Sequence, residues 1–211
     1  MKKALLLGDS ICMGYCRYVR MAFEGSAEIV YPEDNCRFAA YTLRYLGTWK
    51  SETGCSKDLD VVHWNAGLWD VLRVLDGQVL TSPDEYRSNI DRICKVLKLL
   101  YPNAKMIFAT STAVQEEKYG VYKRFNRDVE MYNDIARKVV LANGGQINDL
   151  YTATQNIPEA YYSDETHFNT MKGTQLVADK VISVLQEALG VTAKTLDYQA
   201  LFEAQKKIIG I

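Results

Sequence analysis

The feature that most restricts this chain is an alternation of short apolar runs with longer amphipathic stretches, kept up from end to end. Ala4 to Leu7, Glu28 to Tyr31, Asp60 to Asn65, Lys105 to Thr110 and Gln146 to Asn148 read as strands. The runs Ala4–Leu7 and Met106–Ala109 are apolar throughout, as in strands buried on both faces. Between them, Ile11 to Phe23, Cys36 to Leu46, the stretch from Ser82 to the residue before Pro102, Asn126 to Leu141 and Thr170 to Leu189 carry apolar residues at helical spacing. Ser82-Pro83-Asp84-Glu85 is a strong helix start, because serine caps, proline suits the first turn and acids favour the positive end of the helix dipole. Asn143-Gly144-Gly145 is a matching stop. Strand and helix in regular alternation predict an α/β fold with a parallel sheet covered on both faces. In such sheets the ligand site lies beyond the carboxyl ends of the strands, so the residues that leave each strand are where chemistry is expected.

At 211 residues the chain suits one α/β domain over residues 1–190, followed by a helical extension over 191–211. Leu196, Leu201, Phe202, Ile208, Ile209 and Ile211 give the extension an apolar face that could pack on the body or on a second copy. Lys and Arg number 25 against 26 Asp and Glu, a balance that argues against a nucleic-acid partner. No apolar stretch approaches the ~18 residues of a membrane span. The first apolar run is cut short by Gly8-Asp9, so it reads as a strand, and a cytoplasmic protein is expected unless a leader peptide was removed. The five cysteines are odd in number and form no Cys-x-x-Cys pair, so neither a disulfide framework nor a zinc site is expected. The glycines from Gly8 to Gly14 match no nucleotide-phosphate pattern, and no cofactor or metal is expected.

Three segments stand where a site should form: Gly8-Asp9-Ser10 after the first strand, Trp64-Asn65-Ala66-Gly67 at the third, and Asp164-Glu165-Thr166-His167 before the last long helix. A serine hydroxyl attacks only when a base takes its proton, and histidine is the usual base because it titrates near neutrality. Only two histidines are present. His63 falls inside a strand and reads as a packed residue, whereas His167 lies in a polar loop and is the candidate base. Asp164, three residues earlier, could hold the imidazole tautomer. Each motif alone has a bland reading: Gly-Asp-Ser as a capped turn, Asp-x-x-His as a helix start.

Taken together, these segments resemble the SGNH (GDSL-type) hydrolases. Leu5 to Ile11 is similar to the first block of that family, Asp164 to Asn169 to the last, and the third strand with its exit to the central block. The resemblance spans residues 5 to about 189. It implies a flavodoxin-like α/β/α sandwich of about five parallel strands, with Ser10 as nucleophile, His167 as base and Asp164 as the orienting acid. It further implies an oxyanion hole built from the Ser10 N–H and donors of the second and third blocks.

The sequence departs from the family at both of those blocks. The second has no glycine, and Asn35 is the candidate donor there, alongside its reading as an N-cap for a helix starting at Cys36. The third reads Gly67-Leu68-Trp69-Asp70, with Trp69 where an asparagine is usual. Asn65 is preferred as the amide donor, with Trp69 as a pocket wall; the bland reading of Asn65 is a loop tie. Thr110, Ser111 and Thr112 are further pocket candidates. Arg124 and Asn126 are possible substrate contacts or simply a solvated loop and cap. The expected activity is a serine esterase or acylhydrolase acting on a small-molecule ester. A carbohydrate O-acetylesterase is one form of it, with Trp64, Trp69, Tyr161 and Tyr162 as stacking surfaces. A lysophospholipase or thioesterase is the enzymatic alternative, and a non-catalytic ligand-binding protein on the same fold is the alternative of another class.

Overall fold

The computed structural model describes the backbone of residues 1–209 and the side chains of residues 1–205. Five strands, β1 (Lys2–Leu7), β2 (Ala27–Val30), β3 (Val61–Trp64), β4 (Lys105–Ala109) and β5 (Gln146–Asn148), form one sheet in the order β2-β1-β3-β4-β5. Every pairing is parallel. The helices are α1 (Ser10–Ala22), α2 (Ala39–Thr53), α3 (Pro83–Leu100), α4 (Asn126–Ala142), α5 (Leu150–Thr154), α6 (Met171–Leu189) and α7 (Tyr198–Ile209). The strand order is the flavodoxin-like one. Winding runs outward from β1 in one direction and from β3 in the other, which opens a crevice between the carboxyl ends of β1 and β3. Helices α1 and α6 pack together, and α2, α3 and α4 pack in sequence, giving a helical layer on each face of the sheet.

The core follows the sequence pattern. Leu5, Leu6, Leu7, Val61, Val62, Ile107 and Phe108 are fully buried, and Trp64 meets Phe108 edge-on at 4.8 Å. All five cysteines are free and buried among these apolar side chains. Helix α3 starts on the expected capping box: the Ser82 hydroxyl accepts from the Glu85 N–H, and the Glu85 carboxylate accepts from the Ser82 N–H. Helix α6 ends at Gly190 in the left-handed conformation.

Helix α2 differs from its expected bounds. It begins at Ala39 rather than Cys36 and runs to Thr53. Its N-cap, Phe38, has no side chain able to accept, and the Ala39 N–H is met instead by both oxygens of Asp70 at 3.1 Å, from the loop after β3. Asn35 is therefore not the N-cap. Its side-chain oxygen accepts from the Arg37 N–H at 2.8 Å in a tight turn, and Arg37 itself has a positive φ of 49°.

The extension folds back on the body. Tyr18 of α1 stacks on Phe202 and leans on Tyr198, whose hydroxyl donates to Asp179 of α6 at 2.9 Å. The Ile208, Ile209 and Ile211 side chains lie outside the described ones. Among the described residues no helix is long and apolar enough to cross a membrane.

Candidate active site

Ser10 is the first residue of α1, directly beyond β1. Asp9 caps the helix, its Oδ1 accepting from the Ile11 N–H at 3.0 Å. The first N–H groups of a helix have no intrahelical acceptor, so the Ser10 N–H is an unspent donor at a partially positive helix end. The turn is tight: a Cβ on Gly8 would stand 2.6 Å from the Cβ of Cys12, and the Gly8 carbonyl accepts from the Cys36 N–H at 3.0 Å. Asp9 is fully buried with its Oδ2 unpartnered. Burial pushes its carboxyl up, against the Ile11 N–H and the positive charge of Arg124.

From the other end of the chain, the loop before α6 brings His167 over Ser10. His167 Nε2 lies 2.7 Å from Ser10 Oγ. His167 Nδ1 lies 2.8 Å from Asp164 Oδ2 and 2.9 Å from Oδ1. Asp164 Oδ1 also accepts from the Thr166 and His167 N–H groups, both at 2.8 Å. Partial burial would raise the Asp164 carboxyl, but these two N–H groups and the imidazole outweigh it and hold the group below the ordinary carboxylate range. It is thus ionised at neutral pH and fixes Nδ1 as the protonated ring nitrogen, leaving Nε2 as acceptor for the serine proton. The His167 and Asp164 side chains are 30% and 42% exposed, open enough to meet a ligand.

Asn65 leaves β3 beside this turn. Its N–H donates to the Leu7 carbonyl at 3.0 Å, and its Cβ is a neighbour of Gly8. One side-chain N–H donates to the Ala109 carbonyl at 3.2 Å, while Oδ1 is buried without a partner. The amide group is thus tied to the loop and still has a second N–H. Asn35 is half-buried in the loop after β2, where its side-chain oxygen is taken by Arg37. Trp69 is half-buried in the loop after β3. A cavity of about 190 Å³ opens between α1 and the loop after β2, lined by Gly8, Cys12, Met13, Tyr31, Pro32 and Cys36 among others.

Several expected contacts are placed elsewhere. Trp64 is 0% exposed in the core and presents no stacking face. Thr112 is 1% exposed and turned inward with its hydroxyl unpartnered, so it is not a pocket wall. Strand β4 ends in a fully buried segment, which is why Thr110 and Ser111 are buried too. Thr110 Oγ1 accepts from the Tyr151 N–H, and the Ser111 backbone pairs with the Asn133 amide. Tyr162 packs on Phe168 and gives its hydroxyl to the Thr154 carbonyl. Asn126 pairs with both backbone groups of Val114. His63 is a packed strand residue as expected: Nε2 meets Asn148 Nδ2 at 3.1 Å, and burial lowers its pKa to about 4.

One residue was passed over in reading the sequence. Asp70 is fully buried and binds the start of α2 to the loop carrying Asn65 and Trp69. Burial pushes its carboxyl up to about 7, with the Asp9 charge adding to the rise, against hydrogen bonds from Thr81 and Ala39. An acid next to an apolar run, Asp70-Val71-Leu72, was the available signal.

Superposition on a lipase/acylhydrolase from Enterococcus faecalis covers 93% of this chain and 100% of that one, with a TM-score of 0.70 at 19% identity. A GDSL-like lipase from Bacteroides thetaiotaomicron gives a TM-score of 0.62 at 16% identity, with 89% of each chain covered. This is the SGNH-hydrolase fold. An acetyl xylan esterase from Geobacillus stearothermophilus shares the SGNH fold with a TM-score of 0.69 at 17% identity, covering 92% of this chain and 96% of that one. At such identities the likeness is one of fold. Neither a protein-family model nor a curated protein sequence matches the chain.

Proposed function

We propose that this protein is a serine hydrolase that cleaves small esters, with Ser10 as nucleophile, His167 as general base and acid, and Asp164 as the orienting carboxylate. The observation that carries the reading is the unbroken chain of short contacts from Asp164 through His167 to Ser10 on the SGNH fold. Ser10 Oγ attacks the ester carbonyl carbon as His167 Nε2 takes its proton, and the carbonyl electron pair moves onto oxygen. That oxyanion is met by the Ser10 N–H and the free Asn65 N–H, with the Asn35 donors on the facing loop. Such donors act on charge that exists only in the transition state. Collapse expels the alcohol, which takes the proton from Nε2. Water then attacks the acyl-enzyme by the same route in reverse and releases the acid.

Among substrates, acetylated carbohydrate is the favoured class. Half-buried Trp69, in the loop after β3, remains as a face for a sugar ring after the loss of Trp64 and Tyr162 from that role. Two of the structural neighbours are acetyl xylan esterases. Lysophospholipase or thioesterase activity is the contrasting outcome of the assay. The test is a panel of 4-nitrophenyl acetate, butyrate and octanoate with an acetylated xylo-oligosaccharide, run on the native protein and on Ser10→Ala. Turnover of the acetyl substrates that vanishes in Ser10→Ala supports the reading. Turnover retained in Ser10→Ala refutes the nucleophile, and a rise in activity with chain length refutes the substrate class.

A further inference from the structure

Arg124 closes the long connection between β4 and α4, and it is held unlike the other partly buried arginines. Arg73 clasps Asp128 at 2.8 and 3.1 Å, and Arg137 meets Asp149 at 3.1 Å. Arg124 is half-buried, yet among the described residues no carboxylate stands within ion-pair distance of it. Its anchors are neutral. Nε donates to the Leu68 carbonyl at 2.6 Å, in the loop that carries Trp69. The guanidinium lies 5.7 Å from the centre of the Tyr119 ring. The Tyr119 hydroxyl in turn pairs with Thr166 Oγ1 at 2.5 Å, and the Thr166 N–H is bound to Asp164. The connection is tied to the His167 loop a second time, through Gln115 N–H and the Glu165 carbonyl at 3.0 Å. Arg124 is therefore fixed between the loop after β3 and the loop of the catalytic histidine. Its charge bears on Asp9, the buried carboxyl next to the nucleophile in sequence.

A guanidinium has five N–H donors in a planar fork. Here Nε is spent on the Leu68 carbonyl and the guanidinium also leans on the Tyr119 hydroxyl, which immobilises the side chain and still leaves part of the fork's five donors to offer. A pre-positioned fork loses little entropy on binding and matches the paired oxygens of a carboxylate or a phosphate. We propose that Arg124 forms a subsite for an anionic group on the alcohol half of the substrate. The alcohol half is assigned because the leaving oxygen must reach His167 Nε2 to be protonated, and Arg124 is joined to that histidine's loop. The inference rests on the hydrolase reading above and narrows its substrates to esters of anionic alcohols, such as an acidic sugar or a phosphorylated one.

The test compares 4-acetoxybenzoate and 4-acetoxyphenyl phosphate with neutral 4-acetoxybenzamide, on the native protein, Arg124→Gln and Arg124→Lys. A preference of about 10-fold or more in kcat/KM for an anionic ester over the amide is expected, carried by KM and weakening as salt rises. In Arg124→Gln that ratio falls towards one, and Arg124→Lys restores part of it. Whichever anionic ester is favoured identifies carboxylate or phosphate as the natural group. An equal ratio in native protein and Arg124→Gln, or no preference in the native protein, overturns the subsite while leaving the hydrolase intact. A parallel measurement by calorimetry uses phenyl phosphate, benzoate and benzamide with Ser10→Ala, alone and combined with Arg124→Gln. Arg124-dependent binding of an anion without turnover of any ester supports the subsite and overturns the hydrolase. Absence of both overturns both.

Discussion

His167 Nε2 lies 2.7 Å from the hydroxyl of Ser10, although 157 positions separate the two residues in sequence. The parallel sheet makes this possible. β1 delivers Ser10 to the carboxyl edge, and α6, packed against α1, starts its first turn at the same edge with the His167 loop just ahead of it.

The Asp164 carboxylate accepts from two backbone N–H groups besides the imidazole, an arrangement that would set the ring in the proposed mechanism. In asparagine the amide oxygen is held by the Thr166 and His167 N–H groups, so the amide N–H takes the Oδ2 position facing Nδ1 and favours the wrong tautomer. Asp164→Asn is expected to lower kcat by about 10⁴-fold, the loss this error causes in serine proteases. KM for 4-nitrophenyl acetate should change little. Steady-state kinetics against that ester check both numbers.

Asn65 has one side-chain N–H on the Ala109 carbonyl and one to offer an oxyanion. Asn65→Ala should lower kcat by roughly 10²–10³-fold, the usual cost of one such donor. If the residue only ties its loop, the variant would instead lose thermal stability with kcat nearly intact, and a melting curve run beside the kinetics separates the two.

A methyl group on Gly8 would collide with Cys12, in the first turn of the helix that begins at Ser10. Gly8→Ala is expected to cost about 1–3 kcal/mol, as overpacking does, and to depress kcat because the helix start moves with it. Urea unfolding and kcat measured on one preparation test the pairing of the two effects.

Two buried groups give opposite pH dependences. Asp70 in the fold titrates near 7, above its unfolded value near 3.9. The folded state therefore binds more protons between about pH 4 and 7, and the stability Asp70 contributes is present below that window and lost as pH rises through it. His63 titrates near 4, below its unfolded value near 6.5, so its contribution is lost as pH falls through the same range. Asp70→Asn should leave the protein steadily less stable on acidification from pH 6.5 to 4. His63→Gln should leave it more stable on acidification. Denaturant midpoints at several pH values check both signs.

Much of the frame was legible because its signals are local. Strand runs such as Met106 to Ala109 and the Ser82–Glu85 capping box rely on neighbours in sequence, and both form as read. The start of α2 was not legible because its cap is remote: Asp70, 31 residues away, meets the Ala39 N–H. Helix α5 escaped for a different reason. It is only five residues long, starts on the Asp149 cap and has no room for a helical period. At the site, Ser10, Asp164 and His167, singled out by residue type and by position at strand and helix ends, lie in hydrogen-bond contact. Trp64 was misjudged because strand alternation does not tell which face is covered, and in this sheet both are. Arg124 was weighed both as a substrate contact and as a solvated loop residue, and nothing local decided between them, since its anchors, Leu68 and Tyr119, come together only in the folded chain.

The most direct measurement of the central claim is intact-mass and peptide mapping after treatment with a fluorophosphonate, a reagent that captures a serine only when its hydroxyl is activated. The account predicts one adduct per chain, located on Ser10, formed by the native protein and lost in both Ser10→Ala and His167→Ala. A native protein that stays unlabelled, or an adduct that persists in Ser10→Ala, would contradict it.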